Sequence, residues 1–213
     1  MNIHDIYRPF LKHFRTKRVK NFYATLGIGP ETSIIDVGGN GFFWRTAREL
    51  NLPRPRAVTI LNIYDQDEDL PEGITWVRAD ARDMPFADGQ FDVAFSNSVI
   101  EHLETSKNQA AMASEIRRVA KRYWIQTPDP RFPVEPHYIT PFVHWLPKTV
   151  RRRVVRNGTV WGIITRPTQE QIDANLKEIR LIPPSEFRGF FPDGKIVIER
   201  FAGIPKSMMA VRI

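Results

Sequence analysis

The stretch Ser33-Ile34-Ile35-Asp36-Val37-Gly38-Gly39-Asn40-Gly41-Phe42 decides how the rest of the chain is read. A short apolar strand runs to an acid, and glycines follow before a helical pattern from Phe42 to Leu50. Glycine lets the backbone turn sharply and approach a ligand where a side chain would block it, so this reads as a strand-to-helix ligand loop. Gly39-x-Gly41 also begins like a dinucleotide fingerprint. Its third glycine position holds Trp44, however, and the next strand ends in Asn62, so the features that would hold a pyrophosphate and a ribose are missing or altered.

Working outward, Ala57 to Leu61, Ile74 to Arg78, Asp92 to Ser96 and Tyr123 to Gln126 are rich in Val, Ile, Phe and Trp and bounded by polar, Gly or Pro residues, which predicts buried strands. Asn108 to Lys121 is helical, with Met112, Ile116 and Val119 on one face. Strand, helix and strand in series predict an α/β, Rossmann-like fold with a seven-stranded, mostly parallel sheet and helices on both faces. Between Asn62 and Asp80 there is too little chain for a full helix plus a strand, so a loop is expected around Asp65 to Asp69. Near the end, Ser185 is expected to cap a short helix through Phe191. Ile196 to Phe201 lies too close to Ser207 to Arg212 for a crossover, which predicts an antiparallel C-terminal strand.

Residues 127–184 are broken by Pro136, Pro141 and Pro147, after which Thr168-Gln169-Glu170-Gln171 matches a capping box opening a helix to about Arg180. Within a single domain of 1–213, this segment is expected to be a substrate-side insertion or lid over the C-terminal edge of the sheet, where open α/β sheets bind ligands.

Composition narrows the chemistry. The chain has no cysteine, which excludes a disulfide framework, a thiolate zinc site and cytosine C5 methylation through a covalent cysteine adduct. No metal site is expected. No apolar run approaches the ~18 residues of a membrane span, and Met1 to Asp5 lacks the features of a secretory signal, so a cytoplasmic protein is expected. Of the net charge of +7, residues 117–166 hold +9, from eleven Lys/Arg against Asp129 and Glu135. That stretch suits phosphate, an anionic surface or a solvated face.

Three further constellations follow the first in order. Val58-Thr59-Ile60-Leu61-Asn62 ends the second strand; Val77-Arg78-Ala79-Asp80-Ala81-Arg82-Asp83-Met84-Pro85-Phe86 follows the third; Ser96-Asn97-Ser98-Val99-Ile100-Glu101-His102-Leu103 follows the fourth. Together they resemble the class I S-adenosylmethionine methyltransferases of the bacterial type 11 group. The resemblance implies S-adenosylmethionine as cofactor. Its methionine part would lie against Asp36, Gly38, Gly39, Asn40 and Gly41, its ribose against Asn62, its adenine against Asp80 and Ala81, and Ser96 and Asn97 would flank the methionine. Asn40 takes a glycine slot of the pattern, where its tolerance of positive φ keeps the turn feasible. Asn62 replaces an acid, and an amide lacks a carboxylate's charge-assisted acceptor strength, which predicts weaker cofactor binding than an acid would give.

His102 is a candidate base toward a hydroxyl acceptor, or a residue that pins its loop. His137, beside Glu135 and Tyr138, is the second candidate, against a packing role among aromatics. The Asn-Pro-Pro-aromatic motif of enzymes that methylate nucleobase amines is absent at Ser96 to Val99. The expectation is therefore methyl transfer to a small-molecule, glycan or lipid-linked acceptor, with oxygen as the target atom and nucleic acid disfavoured. A methyltransferase-fold binding protein without activity and an RNA methyltransferase using the basic stretch are the alternatives. Arg151, Arg152, Arg153 and Arg156, interleaved with valines, suit contact with an anionic membrane surface. Oligomeric state has no signature in the sequence.

Overall fold

The computed structural model describes residues 16–67 and 69–213. Met1 to Asp5, read above for a signal segment, lies outside them. Strand β1 (Ser33–Val37) is buried at every position and lies in the interior of the sheet. It pairs in parallel with β2 (Ala57–Asn62) on one side and β4 (Phe91–Asn97) on the other. Beyond them lie β3 (Ile74–Arg78) and β5 (Ala120–Pro128), both parallel to their neighbours. Two C-terminal strands, β8 (Lys195–Phe201) and β9 (Ile204–Arg212), complete the order β3-β2-β1-β4-β5-β9-β8. Only β9 runs against the rest, antiparallel to both β5 and β8. Ala202 and Gly203, both at positive φ, make the tight turn between β8 and β9, so the expected antiparallel ending stands and its strands are longer than the apolar runs alone indicated.

Each face of the sheet is covered by helices. On one, α1 (described over 16–26) and α2 (Gly41–Glu49) bury Val19, Phe22, Leu26, Trp44 and Ala47 against Ile34, Ile60, Phe95 and Trp124. On the other, α3 (Ser106–Val119) and α7 (Pro184–Phe190) bury Met112, Ile116 and Phe187 against Ile35, Val37, Ala94 and Ile125. Helix α1 adds to the elements expected from sequence, although Val19, Phe22, Tyr23 and Leu26 do follow the helical spacing of one buried stripe. Two boundaries are corrected. Helix α3 stops at Val119 because Ala120 and Lys121 already belong to β5. Ser185 does not cap α7: Pro183 is the N-cap and Pro184 stands at the first helical position, where a missing N–H costs nothing. Residues 63–73 carry no helix among those described, as the short spacing required.

The segment after β5 builds a small unit of its own: the ribbon β6 (Val134–Glu135) and β7 (Thr140–Pro141), a 3-10 turn at Val143–Trp145, and helices α4 (Lys148–Gly158), α5 (Val160–Thr165) and α6 (Gln169–Glu178). The capping box at Thr168 and Gln171 opens α6 as read. Tyr138, Val143, Val155, Ile172 and Leu176 form its core. Backbone hydrogen bonds tie it to the loop after β4: Glu104 N–H donates to the Glu178 carbonyl (3.1 Å) and Arg180 N–H to the Glu101 carbonyl (2.7 Å). The +9 stretch does not fold into one patch. Arg117 pairs with Asp193, Arg118 with Glu115 and Asp88, Lys121 with Asp92, Arg131 with Asp129, and Arg152 with Asp173.

Candidate active site

An open cleft at the C-terminal end of β1 is lined by Arg18, Asp36, Gly38, Gly39, Asn40, Phe43, Thr46 and Asn97, among others. Its floor is Asp36, fully buried, with Oδ2 accepting from the Trp44 indole N–H at 2.8 Å and Oδ1 without a hydrogen-bond partner. Burial pushes the Asp36 carboxyl up to about 7, against the Trp44 bond, which lowers it. The glycines are sterically required. A Cβ on Gly39 would overlap the Asp36 carboxylate, and one on Gly38, at φ +73, would run into the Val99 side chain.

The positive φ therefore falls on Gly38 and not, as expected, on Asn40. Asn40 is extended (φ −147) and serves as the N-cap of α2, its Oδ1 accepting from the Phe42 N–H at 3.0 Å. Gly41 is the first residue of that helix. An asparagine in this glycine slot is a helix cap.

Asn62 also has a specific local reason. Its Nδ2 donates to the Gly39 carbonyl (3.0 Å) and its Oδ1 accepts from the Tyr64 N–H (3.2 Å), so the side chain ties the glycine loop to the end of β2. A carboxylate has no donor for the first of these bonds. Asp80 is gripped by its near neighbour: the Arg82 guanidinium donates to both oxygens, and that pairing holds the Asp80 carboxyl below its usual range. Ala81, partly buried, packs against the core on the α3 side. Ser96 does not line the cleft. It is fully buried, and its hydroxyl donates to the Val37 carbonyl (2.9 Å), stitching β4 to β1. Asn97, one residue on, does line it, and Asn97 Oδ1 accepts from Arg18 (2.7 Å). Arg18 is the residue that sequence reasoning missed. Its guanidinium also reaches Gln126 and Glu199, and the only prior signal was the helical spacing around it.

The two candidate histidines, 35 residues apart in sequence, meet. His102 lies in a 3-10 turn (Ile100–His102) after β4, and His137 between β6 and β7. Their Nε2 atoms are 3.2 Å apart. His102 Nδ1 is 2.7 Å from Glu178 Oε1 at the end of α6, and His137 Nδ1 is 2.6 Å from Glu135 Oε1. Burial of His137 opposes its protonation, but the hydrogen bond and charge of Glu135, with Glu101 and Glu178 beyond, prevail and raise its pKa. Glu101 is fully buried beneath the pair, its Oε2 accepting from the Thr127 hydroxyl at 3.0 Å. Burial raises its pKa, countered by the two histidines.

A family profile described as "Methyltransferase domain" matches residues 52–123, about a third of the chain. Among solved structures, a Burkholderia thailandensis 1,6-didemethyltoxoflavin N1-methyltransferase with bound 1,6-didemethyltoxoflavin and S-adenosylhomocysteine is similar at 14% identity and a TM-score of 0.58, covering 98% of this chain and 82% of that one. A geranyl diphosphate C-methyltransferase from Streptomyces coelicolor A3(2), in complex with Mg2+, geranyl diphosphate and S-adenosyl-L-homocysteine, is similar at 14% identity and 0.57, covering 94% and 81%. A methyltransferase from Haloferax volcanii, in complex with the activator Trm112, follows at 14% and 0.52, covering 94% and 89%. Among curated proteins none is detectably similar in sequence. The fold is thus shared with S-adenosylmethionine-dependent methyltransferases, and residues 52–123 match a methyltransferase domain profile. No described helix is long and apolar enough to cross a membrane.

Proposed function

We propose that this chain is a cytoplasmic class I S-adenosylmethionine-dependent methyltransferase that methylates an oxygen of a small-molecule, glycan or lipid-linked acceptor. The observation that carries the reading is the histidine pair at the C-terminal edge of the sheet, with both Nδ1 atoms on carboxylates. Such carboxylates orient the two rings and favour their protonated form, so that the pair suits uptake of a proton from a hydroxyl. The Burkholderia and Streptomyces neighbours act on small molecules, in keeping with this acceptor class.

The cleft fits the methionine end of the cofactor: Gly38 and Gly39 leave room for a ligand, and the unpartnered Asp36 Oδ1 suits an ammonium group. Arg18 brings a cation for a carboxylate to the same cleft. Bound S-adenosylmethionine would supply an electrophilic methyl group on its sulfonium; this chain aligns and desolvates the acceptor. Residues 127–184 serve as the acceptor-side lid. Exposed Phe142, Trp145, Leu146 and Val150 beside Arg153 and Arg156 favour a lipid-linked acceptor at an anionic membrane surface, whereas Arg152 is held by Asp173.

The test is calorimetry with S-adenosylhomocysteine, followed by label transfer from methyl-labelled S-adenosylmethionine to hydroxylated small molecules, glycans and lipid extracts. The expected result is cofactor binding and label in a hydroxyl-bearing acceptor, with turnover in His137→Gln reduced by about 10²- to 10⁴-fold. Absence of cofactor binding would leave only a methyltransferase-fold binding protein, and label appearing in RNA would overturn the acceptor class.

A further inference from the structure

The outer hydrogen bonds of the histidine pair create a conflict on its inner side. A carboxylate is an acceptor only, so the Nδ1 atoms of His102 and His137 carry the protons that Glu178 and Glu135 receive. In neutral rings both Nε2 atoms are then bare lone pairs, yet they face each other at 3.2 Å. Two lone pairs at that distance require a proton on one ring or a cation between them. Glu101 adds a third donor. Its side chain is fully buried, and Oε1 has no hydrogen-bond partner. One ligand atom from each of Glu101, His102 and His137 lies within 4.8 Å of the other two.

We propose that Glu101, His102 and His137 bind one divalent transition-metal ion, with zinc as the reference case. Tetrahedral zinc with Zn–N bonds of about 2.05 Å separates two ligand nitrogens by about 3.3 Å, close to what the pair already adopts. The surroundings are those of a ligand set already oriented. Glu178 and Glu135 stand behind the two rings, and Thr127 holds the far oxygen of Glu101. Two imidazoles and one carboxylate select a transition metal over magnesium or calcium, which prefer all-oxygen shells. This replaces the sequence-based expectation of no metal: adjacent Glu101 and His102 have no motif spacing to His137, and only the fold of 127–184 joins them. Three protein ligands leave a position open. Resting on the O-methylation reading, that position would take the acceptor hydroxyl and lower its pKa, so that its proton leaves to solvent and the oxygen attacks the sulfonium methyl as the C–S bond breaks.

The test uses the full chain, stripped with a chelator and titrated with Zn2+ against a chromophoric competitor, and with Co2+ followed by visible absorption. One ion per chain is expected, lost in both His102→Ala and His137→Ala, while Glu135→Gln weakens zinc binding by about 10- to 100-fold. Binding of S-adenosylhomocysteine persists in all of them. The proposal is overturned if the folded wild-type chain takes up no zinc at micromolar concentration, or if the double histidine variant binds it as the wild type does. Failure of S-adenosylhomocysteine binding with zinc binding intact would sink the O-methylation reading and leave the metal site standing.

Discussion

The cofactor cleft and the histidine cluster share the C-terminal edge of one sheet, but they are assembled in opposite ways. The cleft is built around the end of β1, the loop after it and the start of α2, where Gly38 at positive φ, Gly39 against a buried carboxylate and Asn40 as a helix cap are near neighbours in sequence, with Asn97 of β4 and Arg18 of α1 at its side. The cluster takes its members from a turn after β4, from β5, from the β6–β7 ribbon and from the end of α6. Local backbone geometry therefore protects the first. Long-range packing protects the second.

The sharpest way to break this contrast is Gly39→Ala. The new methyl has nowhere to go, because the Asp36 carboxylate beneath it is held by Trp44 and walled in. A loss of about 1–3 kcal/mol is expected from overpacking alone. Calorimetry should show S-adenosylhomocysteine binding abolished while zinc binding at the histidine cluster survives. Loss of both together would show that the two regions are one cooperative unit.

Next in size is Asn62→Asp. The substitution supplies the acid expected for ribose but removes the donor to the Gly39 carbonyl, an effect of about 1–3 kcal/mol for an acceptor left unpaired. The wild type should bind S-adenosylhomocysteine at least as tightly as the variant, and tighter binding by the variant would restore the expectation drawn from sequence.

The pH dependence of Asp36 is a subtler probe. Its pKa rises from 3.8 to about 7 on folding, so the native state keeps a proton that the unfolded chain has lost. The sign follows from linkage. Stability from this group is complete below pH 3.8 and declines as pH rises through about 7. Thermal melts should show this decline in the wild type and not in Asp36→Asn. The smallest effect is expected from Glu178→Gln, which keeps the backbone bond to Glu104 and alters only the half-exposed outer partner of His102. Melting temperature and S-adenosylhomocysteine binding should stay unchanged while zinc affinity falls by about 10-fold.

Much of the fold was legible because its signals are local. Five strands of the sheet show as apolar runs, and the reversed last strand follows from the short link before it. The glycines after β1 read correctly, because turn chemistry depends on adjacent residues. Asn40 and Asn62 were located, but their hydrogen bonds to Phe42, Gly39 and Tyr64 were not, since an asparagine's partners depend on which backbone groups the fold brings within reach. Arg18 went unread for the same reason: only packing of α1 carries its guanidinium to Asn97, Gln126 and Glu199.

The sequence alone carried a mostly parallel α/β sheet with a glycine loop after its first strand, since periodicity and turn propensity act over a few residues. The tertiary structure alone decided that His102 and His137 meet with Glu101 beneath them, and that the basic stretch is divided among ion pairs. The first brings together residues 35 positions apart through the packing of 127–184 on the sheet edge, and several of the ion pairs likewise join residues far apart in the chain.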